Sequence, residues 1–491
     1  MQITRSASLL AASAVLAGLT VPLTASAAEP GKPLAWGPCQ GSGLDPRQRC
    51  ATVEVPMDHA DPGGRTIGIV VSRIPSEKPS ARRGALLLIP GGPGGDSLAD
   101  PSGKGQKLPQ RVRDAYDLVG FAPRGLAPST AVDCRIDPAD LGVTKLLPWP
   151  AADGSVAGNM ATARRTIESC VRNGDELLRH LGTADQARDL DRVRAALGER
   201  RISAWGVSYG TYVGAVYGQL FPHRTDRIVL DSNNDPDPTR VTRNWLAAFE
   251  TGAEDSFPVF ARWASRPGNP YRLARTPAEV RSGFLRLAAR LDREPLPWPG
   301  AEPAWFDGNA LRQTMLTSLY DPDDHPVLAR AVLAVRAGHA PPVPPGPPGS
   351  VLQNVAAVGV GQMCNDVDWP DSAADYQQDV DESRARFPLT AGMPRGPMMC
   401  AAWPYGQKEP AVRVTDRGPS NILLVQNARD VATPLGGALK LRRALGDRAV
   451  MVTVDSTGHE AYLANGNACG DRTVSRFLAT GERPGSDVLC E

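Results

Sequence analysis

Short apolar runs recur along this chain, and each is bounded by glycine, proline or aspartate. Six of them have the length and composition of strands buried on both faces: ALLLIP from Ala85, YDLVGF from Tyr116, ISAWG from Ile202, RIVLDS from Arg227, NILLVQN from Asn421 and AVMVTVD from Ala449. Helical patterns lie between these runs. Strands that alternate with helices predict an α/β fold with a mainly parallel sheet.

The segment from Thr183 to Gly198 is the clearest of the helical patterns. Thr183 and Gln186 have the spacing of a capping box, which predicts that the helix begins with Thr183 as its cap. Apolar side chains then recur on one helical face at Ala187, Leu190, Val193 and Leu197.

The alternation of strands and helices stops near Asp235 and resumes near Arg417. The interval holds helix-like stretches and the proline-rich HAPPVPPGPPGS from His339, which is too stiff and too poor in donors for a core and is expected at the surface. We therefore predict a core in two parts, 28–235 and 417–491, with an inserted and mostly helical cap at 236–416.

The first residues, 1–27, have the order of a cleavable signal peptide. Arg5 precedes an uncharged run from Ser8 to Leu23, and Ala25-Ser26-Ala27 supplies the small residues of a cleavage site. No later stretch approaches eighteen uninterrupted apolar residues. We expect a secreted, extracellular protein that is free of the membrane.

The formal net charge is +1, and removal of the signal peptide with Arg5 leaves about zero. Such a surface offers no general field to attract nucleic acid or an anionic membrane. We expect neither as a partner and expect a monomer that binds small uncharged or peptide-like molecules.

Eight cysteines in an exported chain predict four disulfides. They fall into neighbouring pairs, but spacing does not select these from the 105 pairings that eight cysteines allow: Cys39 with Cys50, Cys134 with Cys170, Cys364 with Cys400 and Cys469 with Cys490. No Cys-x-x-Cys motif and no pair of histidines at helical spacing is present, so we expect no metal and no cofactor.

Ser208 lies in Gly-Val-Ser-Tyr-Gly, between a predicted strand and a predicted helix. This context predicts a sharp turn that exposes the serine oxygen at the sheet edge, and Gly206 and Gly210 flank it where side chains would collide. We therefore interpret Ser208 as a nucleophile.

A serine hydroxyl needs a base, and the base needs a carboxylate that holds its tautomer. In this fold class the chain order is Ser, acid, His, and of the six histidines only His459 lies late enough. Asp430, after the next-to-last predicted strand, is the favoured acid, while Asp231 and Asp455 stay open as alternatives.

The oxyanion of a tetrahedral intermediate needs two donors that are already in place. The amide of Tyr209, at the start of the helix after Ser208, is one candidate. The other is Gly92 in the Gly91-Gly92-Pro93-Gly94-Gly95 loop, where the glycines let the main chain approach a substrate.

With these residues placed, the chain resembles the secreted tripeptidyl aminopeptidases of the α/β-hydrolase fold, relatives of the proline iminopeptidases. The similarity covers nearly all of the chain after the signal peptide and is carried by ordered motifs: WGPC, CATVEVPMDHADPGG, GGPGG, YDLVGFAPRG, WGVSYGTYVGAVYGQLFP, CNDVDWP, LLVQNARDVATP, STGHEAYL and NACGD. One departure lies at Ala122 to Pro128, where the family's Asp-x-Arg-Gly turn is altered although Arg124 is kept.

The resemblance implies Ser208, Asp430 and His459 as the triad, neighbouring disulfides and a cap over the site. It also implies release of tripeptides from free N termini through an acyl-enzyme, with tetrapeptide release and a preference for proline left open. A secreted carboxylesterase or lipase with the same triad is the alternative, and a binding protein on an inactive scaffold is a further one.

An aminopeptidase must bind the substrate ammonium at a fixed distance from the nucleophile, which calls for buried carboxylates. We select Glu250 and Glu254 in FETGAED and Asp366 beside Cys364 as candidates. Asp255 and Asp368 are further candidates in the same two segments.

Overall fold

The computed structural model describes residues 33–142, 144–145 and 147–491. The predicted signal peptide lies outside these residues. Within them, no helix combines the length and apolar character that a membrane crossing requires.

A ten-stranded sheet forms the centre of the molecule. The described residues form these strands, of which all but β8 and β9 belong to that sheet: β1 (Gly37–Pro38), β2 (Arg49–Pro56), β3 (Thr66–Ile74), β4 (Gly84–Ile89), β5 (Tyr116–Phe121), β6 (Ile202–Val207), β7 (Thr225–Asp231), β8 (Leu296–Pro297), β9 (Trp305–Phe306), β10 (Ile422–Arg429), β11 (Ala449–Thr457) and β12 (Val488–Cys490). Their order in the sheet is β1-β2-β3-β5-β4-β6-β7-β10-β11-β12, while β8 and β9 form a separate ribbon.

All six predicted strands are present, as β4, β5, β6, β7, β10 and β11, and they pair in parallel. The predicted α/β class is confirmed. β1, β2 and β3 add an antiparallel edge that was not predicted.

Helices cover both faces of the sheet. They are α1 (Lys104–Lys107), α2 (Gln110–Ala115), α3 (Ala157–Asn173), α4 (Thr183–Ala196), α5 (Tyr209–Leu220), α6 (Val241–Ser265), α7 (Pro277–Leu291), α8 (Gly308–Ser318), α9 (His325–Arg336), α10 (Gly349–Asp366), α11 (Ala373–Arg386), α12 (Leu435–Leu445) and α13 (Ala468–Thr480). Leu87 and Ile89 of β4 share an apolar core with α4, α5 and α12, whereas Leu86 and Leu88 share another with α2 and α13. Both faces of the parallel strands are therefore buried, which explains their continuous apolar runs.

The predicted capping box at the start of α4 is wrong. Gly182 is the N-cap residue and makes no side-chain capping bond, while the Thr183 hydroxyl donates to the Asp366 carboxylate at 2.5 Å. The local spacing predicts that the Thr183 hydroxyl caps the helix, but this hydroxyl instead bonds to a carboxylate that is distant in sequence.

Helices α6 to α11 lie between β7 and β10 in the sequence, and we call them the inserted helices. Helices α6 to α9 share an apolar core with residues that follow β10, and Phe257, Phe284 and Leu311 are fully buried or nearly so in it. Helix α10 instead packs Val358 and Val360 into the core of the sheet. The proline-rich segment is mostly exposed and non-helical. Division of the chain into a core and a cap at 236–416 stays a prediction.

All four predicted disulfides are present and join the neighbouring cysteines. One of them, Cys364–Cys400, ties the end of α10 to the segment that carries Met398 and Met399.

The altered turn after β5 keeps its anchor. The buried Arg124 guanidinium donates to both carboxylate oxygens of Asp189 at 2.6 Å and to the main-chain oxygens of Met57 and His180. Because a buried charge without a partner is costly, this pairing accounts for the arginine in a turn whose other residues differ.

Candidate active site

Ser208 occupies the turn between β6 and α5 with φ 56° and ψ −122°. Positive φ is strained for a residue with a side chain, and here it turns the chain directly from strand into helix. A Cβ atom at Gly206 would lie 2.4 Å from the Gly210 oxygen, and one at Gly210 would lie 2.4 Å from the Ile89 oxygen. The two flanking glycines are therefore required by the tightness of the turn.

Ser208 lines a cavity of about 310 Å³, which we call the Ser208 cavity. Helices α6 and α10 supply a large part of its wall, mainly through apolar side chains such as Trp245, Phe249 and Met363. Met398 and Met399 close another side. Within the described part of the chain, no aspartate, glutamate, lysine or arginine lines this cavity.

His459 follows β11, and Asp430 follows the adjacent strand β10. The imidazole Nδ1 lies 3.0 Å from Oδ1 and 2.9 Å from Oδ2 of the fully buried Asp430. Since an ionised carboxylate only accepts, Nδ1 carries the proton and Nε2 is left free as a base. The Asp430 carboxylate is itself fixed by the amides of Ala432 and Thr433, each at 2.9 Å.

The segment between α8 and α9 also contacts His459. The His459 amide donates to the Tyr320 main-chain oxygen at 2.7 Å, and the two rings meet edge to face with centroids 5.1 Å apart. Tyr320, which contacts His459, lines the Ser208 cavity. So do Ala432 and Thr433, whose amides donate to Asp430.

The Ser208 Oγ makes no hydrogen bond to another described residue. Hydrogen bonds between a nucleophile and its base are commonly long in unliganded sites and shorten when substrate binds. Within the described residues, the hydroxyl is therefore not engaged by another acceptor or donor.

Neither alternative acid contacts the imidazole. Asp231 accepts from the amides of Ala461 and Tyr462, and Asp455 is paired with Arg429 at 2.7 Å. Of the three predicted acids, Asp430 is the one that the structure brings to His459.

Gly92 and Tyr209 both line the Ser208 cavity. Within the described residues neither amide donates to a protein acceptor, whereas the nearby Gly94 amide is engaged by Gln362 Oε1 at 3.0 Å. Gly92 has φ 122°, a conformation that disfavours other residues. Two free amides at one cavity are what an oxyanion requires.

Glu250, Glu254 and Asp366 are already paired, and neither they nor the further candidates Asp255 and Asp368 line the Ser208 cavity. Glu250 binds Arg395 through both oxygens at 2.8 and 2.7 Å, Glu254 pairs with Arg281, and Asp366 accepts from Thr183. The structure does not bring Glu254 or Asp366 to the cavity that Ser208 lines.

Glu250 differs from the other two because it lines a neighbouring cavity of about 280 Å³, which we call the polar cavity. This cavity shares Asn234, Trp245 and Thr433 with the Ser208 cavity. The sequence singled out none of these three shared residues, since they become neighbours only in the folded chain.

The charge state of His459 sets the pH range in which it can act as a base. Burial lowers the pKa of the imidazole, and the charge and hydrogen bond of Asp430 reverse this, so that the pKa lies above its ordinary value of about 6.5. Burial by itself would raise the pKa of Asp430. The charge of His459 and its hydrogen bond outweigh this effect, so that the pKa of Asp430 lies below its usual range.

We expect activity to fall as the pH decreases through the pKa of His459, because the protonated imidazole cannot accept the serine proton. The midpoint of the acid limb of kcat/KM should therefore lie above about pH 6.5. A profile of kcat/KM against pH measures it. A midpoint near about pH 4, the range of ordinary carboxyl groups, would contradict the assignment of an imidazole base.

The parallel sheet has a serine at a strand-to-helix turn beside two free amides, and a paired histidine and carboxylate follow its last long strands. These features define a serine hydrolase of the α/β-hydrolase fold. The family described as alpha/beta hydrolase fold matches residues 84–282, and the family described as TAP-like protein matches residues 387–490.

A tripeptidyl aminopeptidase of Streptomyces lividans is 32% identical over 472 residues, which cover 93% of this chain and 86% of that protein. Serine protease Hip1 of Mycobacterium tuberculosis is 29% identical, covering 94% of this chain and 92% of that protein. Carboxylesterase B of the same species is 28% identical, covering 94% and 91%. The chain belongs to the tripeptidyl aminopeptidase family and is a serine peptidase.

Proposed function

We propose that this protein is a secreted exopeptidase that releases tripeptides from the free N termini of peptides. The observation that carries the proposal is the presence of two adjoining cavities that are both bordered by α6. One is apolar and holds Ser208, and the other is polar and holds Glu250. Such an arrangement suits a peptide whose apolar side chains lie near the scissile bond and whose charged end lies at a fixed distance from it.

In the proposed reaction, His459 Nε2 takes the proton of Ser208 as the serine oxygen attacks the peptide carbonyl. The amides of Gly92 and Tyr209 donate to the oxyanion, and Asp430 stabilises the imidazolium. His459 then protonates the leaving amine, and the N-terminal fragment stays on Ser208 as an ester. Water attacks this ester with His459 again as the base, which releases the fragment and restores the serine.

Among the predicted carboxylates, we retain Glu250 as the group that binds the substrate ammonium. Its pairing with Arg395 holds the carboxylate in one orientation, because both of its oxygens accept from the guanidinium. A peptide ammonium entering the polar cavity would share this carboxylate with the arginine. Charge-assisted hydrogen bonds of this kind are the strong ones in a binding site.

Blocking the substrate N terminus should weaken hydrolysis strongly. We expect N-acetylation of a peptide to lower kcat/KM by roughly 10- to 150-fold, because a hydrogen bond to a charged group is lost. Mass spectrometry of the products from matched free and acetylated peptides measures both the rate and the length of the released fragment.

The Glu250→Gln variant is the matched control, since it should cleave free peptides poorly and show little discrimination against acetylated ones. Equal rates on free and acetylated peptides in the unaltered protein would contradict exopeptidase action. Release of fragments of another length would contradict tripeptide release and would show that the ammonium site lies at a different distance from Ser208 than proposed.

A carboxylesterase is the second candidate function, and the apolar wall of the Ser208 cavity favours it, together with the similarity to carboxylesterase B. An acyl ester needs no ammonium site, so Glu250→Gln would leave its hydrolysis unchanged. Comparing kcat/KM for a tripeptide anilide and for an acyl nitrophenyl ester in the two proteins separates the candidates.

A further inference from the structure

The loop that carries His459, residues 458–462, has a constrained main chain. Gly458 has φ 96° and Glu460 has φ 68°, which is uncommon for a residue with a side chain. Four successive amides of this His459 loop nevertheless have acceptors: Tyr320 O for His459, Ser232 Oγ for Glu460, Asp231 Oδ1 for Ala461 and Asp231 Oδ2 for Tyr462. Acceptors outside the loop therefore hold its conformation.

Asp231 provides two of these acceptors and also contacts the nucleophile turn. It is the last residue of β7 and is fully buried. Its carboxylate accepts from Ala461 at 2.8 Å and from Tyr462 at 3.0 Å. Its main-chain oxygen accepts from the amide of Ser208 at 2.9 Å.

We propose that Asp231 is a positioning residue that fixes the His459 loop relative to Ser208. The inference rests on the proposed roles of Ser208, Asp430 and His459, and it adds a fourth residue to these three. Asp231 does not contact the imidazole and is not the acid of the triad. It acts by joining, through one rigid strand end, the two segments that must meet for proton transfer.

The position requires a carboxylate because two N–H groups point at one side chain. An ionised carboxylate offers an acceptor to each, whereas an asparagine offers one acceptor and sets its own NH₂ against the second donor. A buried donor left without an acceptor is costly, so the loop would be expected to move in response.

Burial and a few nearby charged groups set the pKa of Asp231. Burial raises the pKa of Asp231 to about 7, and Glu460 adds to this, while the Ala461 and Tyr462 amides and the Lys104 ammonium act in the opposite direction. Lys104 is paired with Glu460 at 2.9 Å. The charge of the Asp231 carboxylate also raises the pKa of the His459 imidazole and of the Tyr462 phenol. The neighbours across the sheet, Val207 and Val425, do not titrate.

This setting provides a readout that a purely structural role would not give. If turnover needs Asp231 ionised and His459 neutral, two protons suppress kcat in the acid limb. The limb should then be steeper than for one titrating group, and removing the Asp231 carboxylate should reduce it to the slope of one.

The test is Asp231→Asn in the full-length protein, with a tripeptide anilide as substrate. We expect kcat to fall by about 100-fold, as for a misplaced catalytic group, with KM changed by less than about twofold. The slope of the acid limb should fall to that of one proton. Circular dichroism and the melting temperature report whether the variant is folded.

The matched control is Asp471→Asn. Asp471 accepts the Leu463 amide at 2.8 Å, just beyond the His459 loop, and is not among the acceptors of Ser208 or of residues 458–462. Its replacement should leave kcat within about threefold of the unaltered protein, as for a site outside the catalytic set.

A folded Asp231→Asn variant with unaltered kcat, or with the loss confined to KM, would overturn the inference. If that variant does not fold, Ser232→Ala removes the acceptor of the Glu460 amide from the same loop. It should lower kcat without raising KM, and unchanged kcat would overturn the inference. Failure of the proposed peptidase function would instead appear as substrates that the unaltered protein does not cleave.

Discussion

Replacing Ser208 with alanine should lower kcat by at least about 10⁴-fold, because the variant has no oxygen to attack the substrate. The hydroxyl makes no hydrogen bond to another described residue, so its loss leaves no buried partner unsatisfied. Alanine keeps the Cβ atom that the turn already accommodates. We therefore expect a folded protein without turnover, measured as kcat on a tripeptide anilide together with the melting temperature.

A serine of α7 provides the control for this experiment. Among the described residues, the Ser282 hydroxyl donates to the Glu279 main-chain oxygen of its own helix and to no other acceptor. Ser282→Ala should therefore keep the rate of the unaltered protein. A fluorophosphonate probe should label the unaltered protein and this control but not Ser208→Ala. A folded Ser208→Ala variant that retained the original rate would remove the proposed mechanism.

The second large effect is expected at Asp430. Asparagine in its place can no longer accept the Nδ1 proton while satisfying the amides of Ala432 and Thr433, so the imidazole would be free to adopt the wrong tautomer. The loss of such an acid lowers kcat by about 10⁴-fold in serine proteases, and we expect a similar loss here. Parallel measurement of kcat and KM for Asp430→Asn provides the test.

Asp455 is the natural comparison because it lies near the same loop and is a carboxylate that the chain order also allows. Its side chain is about half exposed, at 53%, and pairs with Arg429, so Asp455→Asn should change kcat by less than about twofold. Retention of turnover by Asp430→Asn would return the role of the acid to Asp231 or Asp455.

The parallel strands could be predicted because burial on both faces gives them uninterrupted apolar runs. The antiparallel strand β2 could not be found by that signal. It alternates buried Ala51, Val53 and Val55 with exposed Thr52 and Glu54, so a search for period-two alternation would have detected it.

Residues whose roles depend on distant partners were harder to predict. Thr183 has the local spacing of a helix cap, but the carboxylate it meets comes from the end of α10. The same carboxylate, Asp366, was expected to face a substrate and instead is engaged by Thr183. Spacing along the chain describes neighbours within a turn or two, and it contains no information about which side chains the tertiary fold pairs.

The triad candidates were accessible from sequence because each follows a strand. In parallel sheets of this class, functional groups lie at the carboxyl ends of strands, and chain order limits the choice of histidine. The walls of the cavity were not accessible in this way. Trp245, Tyr320 and Met399 come from three separate segments, and only packing shows that they enclose one space.

The order in which the chain is synthesised has a consequence for the cell that makes it. Gly92, Ser208, Tyr209 and most of the cavity wall are translated first, and Asp430 and His459 follow near the end. On the proposed roles, a nascent or prematurely terminated polypeptide is catalytically silent. Hydrolytic capacity then arises only when the last segment docks, as β10 joins β7 and β11 joins β10.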